Sequence, residues 1–527
     1  MSKTKEKIVK DALAFISKYK KFPTEKDLVS LGYTRDIVRS RFGSIGGLRE
    51  VLVNEGSVRN FISEESYGEE YNLNLRKNLF GKKLFIISSF VCGAEVNKKL
   101  LGNLKTLAKH YKAELLLLPI LDKKAKLDKF FDPILLEERI VTEELWLNSN
   151  ICVSTLAIGA RAVDPSSGLP RLGQRNGSTI LASTKQRLKY VPTGNISLPH
   201  ALLSTGTITL PNYSNTRLFK TKDTRLSEED HKYGAVIVEI VDKDIFHFRH
   251  IEAGPNMELA DLGILVKNNK VSKIKPSALV LGDWHSGKTN STVAKETEKL
   301  SKKLGIDKWI MHDIFDGDSI NHHDEGKIIT RTKKIKSTGL SIETELKGLA
   351  GDLSWMSNFL KEVVVVKSNH DEFLDQYLDK GQYVQDPHNH RISLELALCL
   401  LDNKNPLQEG VNRYLDNKVS SKIRWLGRDE SYIIADIECG RHGHTGANGA
   451  RPSIQTLENA YRKAVTGHSH TPQILRDIYV VGTSTDPFPD YGKGGASSWM
   501  QTHCIIYPNG TRQLINCIEG KFTNLWA

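Results

Sequence analysis

Residues 278–285 read Ala-Leu-Val-Leu-Gly-Asp-Trp-His, so a short apolar run ends in a carboxylate and an imidazole. The run has the length and composition of a buried β-strand. Four further apolar runs, at 309–311, 363–366, 432–435 and 479–481, are each expected to lead into a polar block. These blocks are Gly317-Asp318-Ser319-Ile320-Asn321, Asn369-His370-Asp371, Arg441-His442-Gly443-His444 and Gly467-His468-Ser469-His470. Because α/β folds gather ligands at the carboxyl ends of strands, we expect the blocks to meet along one edge of a sheet.

The blocks together supply enough hard oxygen and imidazole donors for two metal ions that share one bridging carboxylate. Two cations held in this way stabilise both the attacking and the leaving oxygen of an in-line displacement at phosphorus. Donor sets without thiolates favour manganese, iron, zinc or magnesium over copper(I) or structural zinc. The sequence therefore predicts a metal-dependent phosphoesterase with two divalent ions.

In their order, the five blocks resemble the calcineurin-like metallophosphoesterase superfamily, in particular its nuclease branch of SbcD-type DNA repair enzymes. The resemblance covers Asp283 to His470 and a closing hairpin at 504–510. It implies an α/β fold for residues 270–527, a four-layer sandwich of two β-sheets flanked by helices. It also implies a metal-ligand set, with Mn²⁺ expected from the relatives. The first metal would take Asp283, His285 and His470, the second Asn369, His442 and His468, and Asp318 would bridge both.

The resemblance gives His370 a different role from its neighbours. It would face the substrate and assist the reaction as a general acid or by stabilising the phosphoryl transition state, while metal-bound hydroxide attacks the scissile phosphate. His444 remains an alternative to His442 as a ligand. Two features depart from the usual pattern or add to it: Ser368 stands where the family has glycine, and His322 and His323 place extra imidazoles beside the Asp318 block.

Residues 1–65 predict a helical, helix-turn-helix-like domain. Apolar residues at helical spacing, from Ile8 to Tyr19, mark a first helix, and Thr24 can cap a second. A third, from Arg35 to Phe42, would expose three arginines, as a DNA reader does. They are Arg35, Arg39 and Arg41. The segment also resembles small helical repeats of some phage homing endonucleases, although a packing or oligomerisation module is the alternative.

Residues 80–268 predict an α/β middle domain whose role the sequence leaves open. A strand over 83–89, a helix over 95–111 and a strand over 114–118 suggest an α/β unit, and 235–250 reads as a hairpin.

The charge distribution favours DNA as the substrate. The net charge is +12, and residues 1–60 hold 13 Lys/Arg against 7 Asp/Glu, whereas residues 270–527 hold 33 against 31. Basic residues also follow the Asp318 block, where they could neutralise strand phosphates. They include Lys327, Arg331, Lys333 and Lys334. A phosphatase acting on phosphoproteins or small phosphate esters is the alternative, and a binding protein with a structural metal site is a third.

The remaining features concern the compartment and assembly. Six cysteines without a Cys-x-x-Cys pair predict reduced thiols, and neither a secretory signal nor an apolar run of about 20 residues is present, so we expect a cytoplasmic protein without membrane contact. Related repair nucleases dimerise, which suggests a homo-oligomer. The arrangement is similar to host-DNA-degrading proteins of large tailed phages.

Overall fold

The computed structural model describes residues 4–19, 23–55, 69–120, 132–194, 198–213, 220–321, 324, 326–488 and 495–526. The extra imidazoles of His322 and His323 lie outside the described residues. The helices in these ranges are α1 (Lys5–Tyr19), α2 (Glu25–Ser30), α3 (Arg35–Phe42), α4 (Ile45–Glu55), α5 (Glu69–Leu79), α6 (Lys98–Tyr111), α7 (Pro170–Asn176), α8 (Lys222–Glu229), α9 (Ser291–Leu304), α10 (Ile328–Thr338), α11 (Ile342–Ser357), α12 (Asp371–Asp379), α13 (His390–Leu401), α14 (Pro406–Asn412), α15 (Asn417–Ser420) and α16 (Ile454–Tyr461).

The strands divide between an early and a late set. The early set is β1 (Leu84–Val91), β2 (Glu114–Ile120), β3 (Arg139–Ile140), β4 (Leu145–Asn148), β5 (Ile151–Ser154), β6 (Ser178–Leu181), β7 (Arg187–Val191), β8 (His200–Ser204), β9 (Gly234–Ile240), β10 (Phe246–Glu252), β11 (Leu259–Asp261), β12 (Ile264–Lys267) and β13 (Lys270–Lys273). The late set is β14 (Ala278–Val280), β15 (Lys308–Met311), β16 (Glu362–Val365), β17 (Ile423–Trp425), β18 (Ile433–Ile434), β19 (Ile437–Glu438), β20 (Ala464–Thr466), β21 (Gln473–Leu475), β22 (Ile478–Val480), β23 (Thr502–Ile506) and β24 (Arg512–Asn516).

The four N-terminal helices form where capping residues and glycines predict them. Thr24 and Asp27 make a reciprocal capping box at the start of α2, and Ser44 Oγ accepts a hydrogen bond from the Gly47 amide at the start of α4. Ile8, Val38 and other apolar side chains of α1–α4 pack into a small core of their own. The described residues between 4 and 55 are therefore largely helical, with α3 at its predicted bounds.

Four sheets organise the rest of the described chain. A five-stranded sheet has the order β10-β9-β1-β2-β3, and a three-stranded sheet has the order β11-β12-β13. A six-stranded sheet has the order β17-β16-β15-β14-β23-β24. A ten-stranded sheet has the order β18-β19-β20-β22-β21-β7-β8-β6-β5-β4. The predicted hairpins of β9 with β10 and of β23 with β24 are both antiparallel pairs.

The ten-stranded sheet joins the middle region to the C-terminal region. Strand β7 pairs with β21 through Leu188 and Ile474, so hydrogen bonding runs across the boundary that the sequence placed near residue 270. Buried side chains of both regions, including Val153, Val236 and Val465, share one hydrophobic core. The predicted middle and C-terminal domains are thus continuous in both sheet and core.

The C-terminal region is layered. Leu279 of β14 packs in the core that includes helices α9 and α11. Because side chains alternate along a strand, Ala278 and Val280 point the opposite way, into the core between the two large sheets. On the far side, α16 packs against β20 and β22 through Leu457. The order of layers is therefore helices, six-stranded sheet, ten-stranded sheet and helix. This is a mixed α/β fold, as predicted.

One strand assignment from the sequence was wrong in its relation to a ligand block. The run at 479–481 corresponds to β22, which follows His468 and His470 rather than leading into them. The strand that precedes this block is β20, whose three residues are too few to stand out as an apolar run. Among the described residues, none of the helices combines the length and apolar character needed to cross a bilayer. All six cysteines are free thiols, as predicted.

Candidate metal centre

Five strand ends place polar side chains at one edge of the fold. Asp283 follows β14, Asp313 follows β15, Asn369 follows β16, His442 follows β19 and His468 follows β20. Strands β14, β15 and β16 are parallel neighbours, so their carboxyl ends lie side by side. The structure therefore brings side chains of four of the five predicted blocks together, whereas Asp318 belongs to none of the donor groups of the described residues.

A first group of donors contains four buried side chains, Asp283, His285, Asp313 and His470, whose ligand atoms all lie within 4.8 Å of one another. His470 Nε2 is 3.0 Å from Asp283 Oδ2 and 3.3 Å from His285 Nε2. Two imidazole nitrogens and a carboxylate thus converge on one point. The first predicted ligand set is brought together as expected.

A second group surrounds the amide oxygen of Asn369. Both His442 Nε2 and His468 Nδ1 lie 3.0 Å from Asn369 Oδ1. His442 Nε2 is also 3.2 Å from Asp313 Oδ2, and Asp313, His442 and His468 form a group of potential metal ligands. The second predicted ligand set is therefore assembled around the same carboxylate.

The carboxylate shared by both groups belongs to Asp313, not to Asp318 as the sequence predicted. Asp318 lies in a 3₁₀ turn five residues later, where its carboxylate forms ion pairs with Lys288 and Lys334. The prediction of Asp318 rested on the Gly-Asp dipeptide at 317–318, whereas the aspartate in both donor groups is Asp313. The signal that favours Asp313 is its position two residues after β15, comparable to that of Asp283 after β14.

The backbone at the ligands is unusual. His285, Asp313, His468 and His470 all have positive φ, with values of 49°, 43°, 76° and 54°. Side chains other than glycine adopt this region at a cost, and such residues cluster at functional sites. Gly467 adds a close approach, because a Cβ there would overlap the Asp283 carboxylate and lie 3.1 Å from His312 Cβ. The turns are shaped to bring the ligands together.

The electrostatics of the centre are those of a buried negative cluster. Burial opposes ionisation of Asp313, but the imidazoles of His442, His370 and His285 together outweigh it and hold the pKa of this carboxyl well below its usual range. Burial also acts on His442, yet the charges of Asp313 and Asp283 raise its pKa to about 9. For His468, burial and the charge of His442 lower the pKa to about 4. The cluster therefore requires positive charge, which a proton or a cation can supply.

His370 lies beside the first group. Its Nδ1 is 2.8 Å from the Asp316 carbonyl oxygen, and its ring packs edge-on against His285 with centroids 4.6 Å apart. Because a carbonyl only accepts, Nδ1 carries the hydrogen in this contact. Burial lowers the pKa of His370, although the charge of Asp313 acts in the opposite direction. The ring is fixed at the edge of the centre, and sequence reasoning missed its neighbour Asp316, which joins His285 and His370 in a third donor group.

The serine that replaces the usual glycine is accommodated without a left-handed residue. Ser368 does not adopt positive φ. Its amide donates to Asp371 Oδ2 at 3.1 Å, and its hydroxyl accepts from the Asp371 amide at 3.2 Å. This reciprocal pair closes the turn that carries Asn369 and His370.

The alternative ligand His444 points elsewhere. Its Nε2 is 3.8 Å from Glu372 Oε1, and it belongs to none of the donor groups in the described residues. The geometry therefore favours His442 over His444.

The predicted DNA-binding side chains lie on two helices. Arg35, Arg39 and Arg41 are exposed on α3. The second set lies on or just before α10: Lys333 is exposed and Arg331 half-buried, Lys327 pairs with Asp324, and Lys334 pairs with Asp318 and Asp324. Contact with nucleic acid stays a prediction for both sets.

Fold and site define an α/β protein with a buried histidine–aspartate cluster that could hold metal ions. Over 481 residues the chain is 27% identical to Protein A1 of Escherichia phage T5, an alignment that covers 84% of this chain and 83% of that protein. No protein-family model matches the chain. No solved structure matches it. The chain is thus similar over most of its length to a phage protein.

Proposed function

We propose that the protein is a nuclease, a two-metal-dependent phosphodiesterase acting on DNA and related to the calcineurin-like metallophosphoesterases. The observation that carries the proposal is the Asp313 carboxylate, which belongs to both donor groups. A carboxylate shared in this way suits a pair of cations about 3.5–4 Å apart. The layer order of helices, sheet, sheet and helix supports the four-layer sandwich expected for that superfamily.

The donors fit divalent cations. His285 Nε2 and His470 Nε2 face each other at 3.3 Å, a separation at which a shared cation satisfies both nitrogens. Within the described residues, Asp283 Oδ1 is buried and accepts no hydrogen bond. Oxygen and imidazole donors without thiolates suit Mn²⁺, Mg²⁺, Zn²⁺ or Fe²⁺, and the resemblance to the metallophosphoesterases makes Mn²⁺ our first choice. When bound, two such cations would activate the attacking water and neutralise the charge of the phosphoryl group.

The protein's own side chains would position the substrate. His370 donates from Nδ1 to the Asp316 carbonyl, which holds the ring and leaves Nε2 for a substrate oxygen. As the imidazolium, with a second proton on Nε2, it would donate that proton to the leaving oxygen, as the resemblance implies. Lys288, held 3.4 Å from Asp318, follows the His285 turn and would neutralise a phosphate flanking the scissile one.

The choice of DNA over a small phosphate ester rests on charge beyond the centre. The exposed arginines of α3 and the basic residues of α10 are spread over surfaces much wider than a single phosphate group. Such surfaces suit a polyanion, whose many phosphates release counterions on binding. A phosphatase of small phosphate esters would not use them.

The test is cleavage of supercoiled plasmid and linear duplex by the full-length protein, with Mn²⁺, with Mg²⁺ and with EDTA. Asp313→Asn and Asp318→Asn would be assayed in parallel. We expect Mn²⁺-dependent cutting that is lost in Asp313→Asn and retained in Asp318→Asn. Nicked plasmid would indicate an endonuclease, whereas degradation from linear ends alone would indicate an exonuclease.

Two outcomes would contradict the proposal. Absence of DNA cleavage by protein that verifiably holds metal, together with hydrolysis of p-nitrophenyl phosphate or phosphopeptides, would make the protein a phosphatase. Equal cleavage by wild-type protein and Asp313→Asn would mean that the activity does not arise at this centre.

A further inference from the structure

A large open groove lies in the middle region, on the opposite margin of the ten-stranded sheet from the metal centre. Its volume is about 930 Å³. It is bounded by the turn after α5, by the edge strand β4 and by the β9–β10 turn, with Leu79, Phe85 and Leu145 contributing apolar surface. All its lining residues are described, and none is used by the metal centre.

Two aromatic rings of this groove are open to solvent. Phe80, in the turn after α5, is 91% exposed, and Trp146 on β4 is 45% exposed. Trp146 Nε1 donates to Glu144 Oε1 at 3.0 Å, which restrains the indole. Two exposed rings on one groove can offer their flat apolar faces to a ligand.

The charges around the rings indicate the rest of the ligand. Four basic residues line the groove, against the two carboxylates of Glu144 and Asp242. Arg76 pairs with Glu143 and Lys82 with Glu114. Lys83 and Lys243 are exposed and take part in none of the ion pairs between described residues. The groove thus places two exposed lysines beside the exposed rings, together with the carboxylates of Glu144 and Asp242.

We propose that this groove binds single-stranded DNA, with bases stacked on Phe80 and Trp146 and backbone phosphates on Lys83 and Lys243. Aromatic platforms beside a positively charged track are the combination that binds single strands irrespective of sequence. A protein partner is the other ligand that exposed rings could take, and the experiment below distinguishes it from a single strand. The proposal deepens the proposed function, because it supplies a holding site for a strand of the substrate.

The groove is separate from the metal centre. Seven strand-to-strand steps separate β20, which carries His468, from β4 in the sheet order. At about 4.8 Å a step, the two sites lie on the order of 30 Å apart along the sheet. A strand held in the groove would therefore be anchored at a distance from the bond that is cut, so that binding and cutting can be measured independently.

The experiment measures, by fluorescence anisotropy, the binding of a fluorescein-labelled oligo(dT) of twenty nucleotides to the full-length protein in EDTA. We expect the double variant Phe80→Ala/Trp146→Ala to bind about tenfold or more weakly, since stacking on each ring contributes substantially. Lys83→Gln/Lys243→Gln should weaken binding and reduce the salt dependence, by about 0.7 in the logarithmic slope for each phosphate that the variant no longer neutralises. Val163→Ala and Lys222→Gln, exposed elsewhere in the middle region, serve as matched controls and should bind like the wild type.

Three results would overturn the proposal. The first is unchanged oligo(dT) affinity in the double-ring variant, with circular dichroism confirming its fold. The second is an equal loss for a duplex of the same length, since stacked bases would then not be involved. The third is that the double-ring variant differs from the wild type in oligomeric state, measured by sedimentation, while its oligo(dT) affinity is intact. This result would make the groove a protein interface.

The proposal for the groove and the proposal for the metal centre can be contradicted independently. If the wild type cuts DNA with Mn²⁺ but the ring variant binds oligo(dT) normally, the groove proposal is wrong and the nuclease stands. If the groove variants lose binding but no protein cuts DNA, the groove stands and the nuclease is wrong.

Discussion

His442 of the metal centre and His231 of the middle region are both buried, but their surroundings differ in chemistry. In the centre, His442 Nε2 meets Asn369 and Asp313, while its Nδ1 has no hydrogen-bond partner within the described chain. In the middle region, His231 contacts the Tyr213 hydroxyl at 2.7 Å and the Thr209 carbonyl at 2.8 Å. His442 is therefore held by groups that commonly bind metals, whereas His231 is held by a hydroxyl and a backbone carbonyl.

The pKa values follow the same division. Burial lowers the pKa of both His231 and His250 to about 4, so these rings are neutral structural groups at neutral pH. For His442, the carboxylates of Asp313 and Asp283 overcome burial and raise the pKa to about 9. Burial of a histidine therefore does not by itself indicate a metal site. Convergence with buried carboxylates does.

The largest expected effect distinguishes the role of Asp313 from that of Asp318. Asp313→Asn should abolish binding of the metal pair, because the carboxylate common to both donor groups is removed. Bound Mn²⁺ is measured by mass spectrometry after dialysis. Asp318→Asn is the control and should keep its metal, because Asp318 pairs with Lys288 and Lys334 and belongs to neither donor group. Normal metal content in Asp313→Asn would contradict the assignment.

The second-largest expected effect is a loss of DNA cleavage without a loss of bound metal. His370→Ala should reduce DNA cleavage by about 10²–10⁴-fold, the usual contribution of a positioned acid or base. Metal content should be unchanged, since the ring is fixed by Asp316 beside the ligands. His390→Ala, a partly buried histidine that contacts the Tyr383 carbonyl, is the control and should cut normally. Loss of metal from His370→Ala would make His370 a ligand instead.

A smaller effect tests the packing that brings the ligands together. Gly467→Ala should destabilise the protein by about 1–3 kcal/mol, because the new Cβ overlaps the Asp283 carboxylate in a well-packed site. It should also weaken Mn²⁺ binding, measured by calorimetry alongside urea unfolding. Gly351→Ala on α11 has open space around its Cβ and should be neutral or slightly stabilising. Equal effects of the two substitutions would remove the argument for a tight turn at Gly467.

The smallest effect tests the structural histidines. The folded-state pKa of His250, about 4, lies below the value of about 6.5 expected in the unfolded chain. The unfolded state therefore binds more protons between these values, and the stability contributed by the neutral ring, present above pH 6.5, is lost as pH falls through 4.

His250→Gln keeps a donor for the Ser204 carbonyl, which lies 3.0 Å from His250 Nε2, and removes the titration. Urea unfolding at pH 7 and pH 4.5 should show a smaller acid-induced loss in this variant than in the wild type. Its Mn²⁺ content should match the wild type. A steeper acid dependence in the variant would contradict the neutral assignment of His250.

Local patterns predicted much of the fold. The capping residues Thr24 and Ser44 mark helix starts, and the turn at 508–510 marks the β23–β24 hairpin; both depend on neighbours within a few residues. The short strand β20 and the pairing of β7 with β21 escaped prediction. A three-residue strand has little periodicity, and a pairing over some 285 residues leaves no trace in local sequence.

The sequence by itself determined the donor types and six of the donors, because hard oxygen and imidazole groups at the ends of apolar runs keep their identity in any fold. The tertiary structure alone decided that Asp313 rather than Asp318 is shared by the two groups, and that His442 rather than His444 joins them. It also decided that the middle strands extend the C-terminal sheet. Donor type is a property of the residue. Which donors meet depends on strand pairing and turn geometry between residues far apart in the chain.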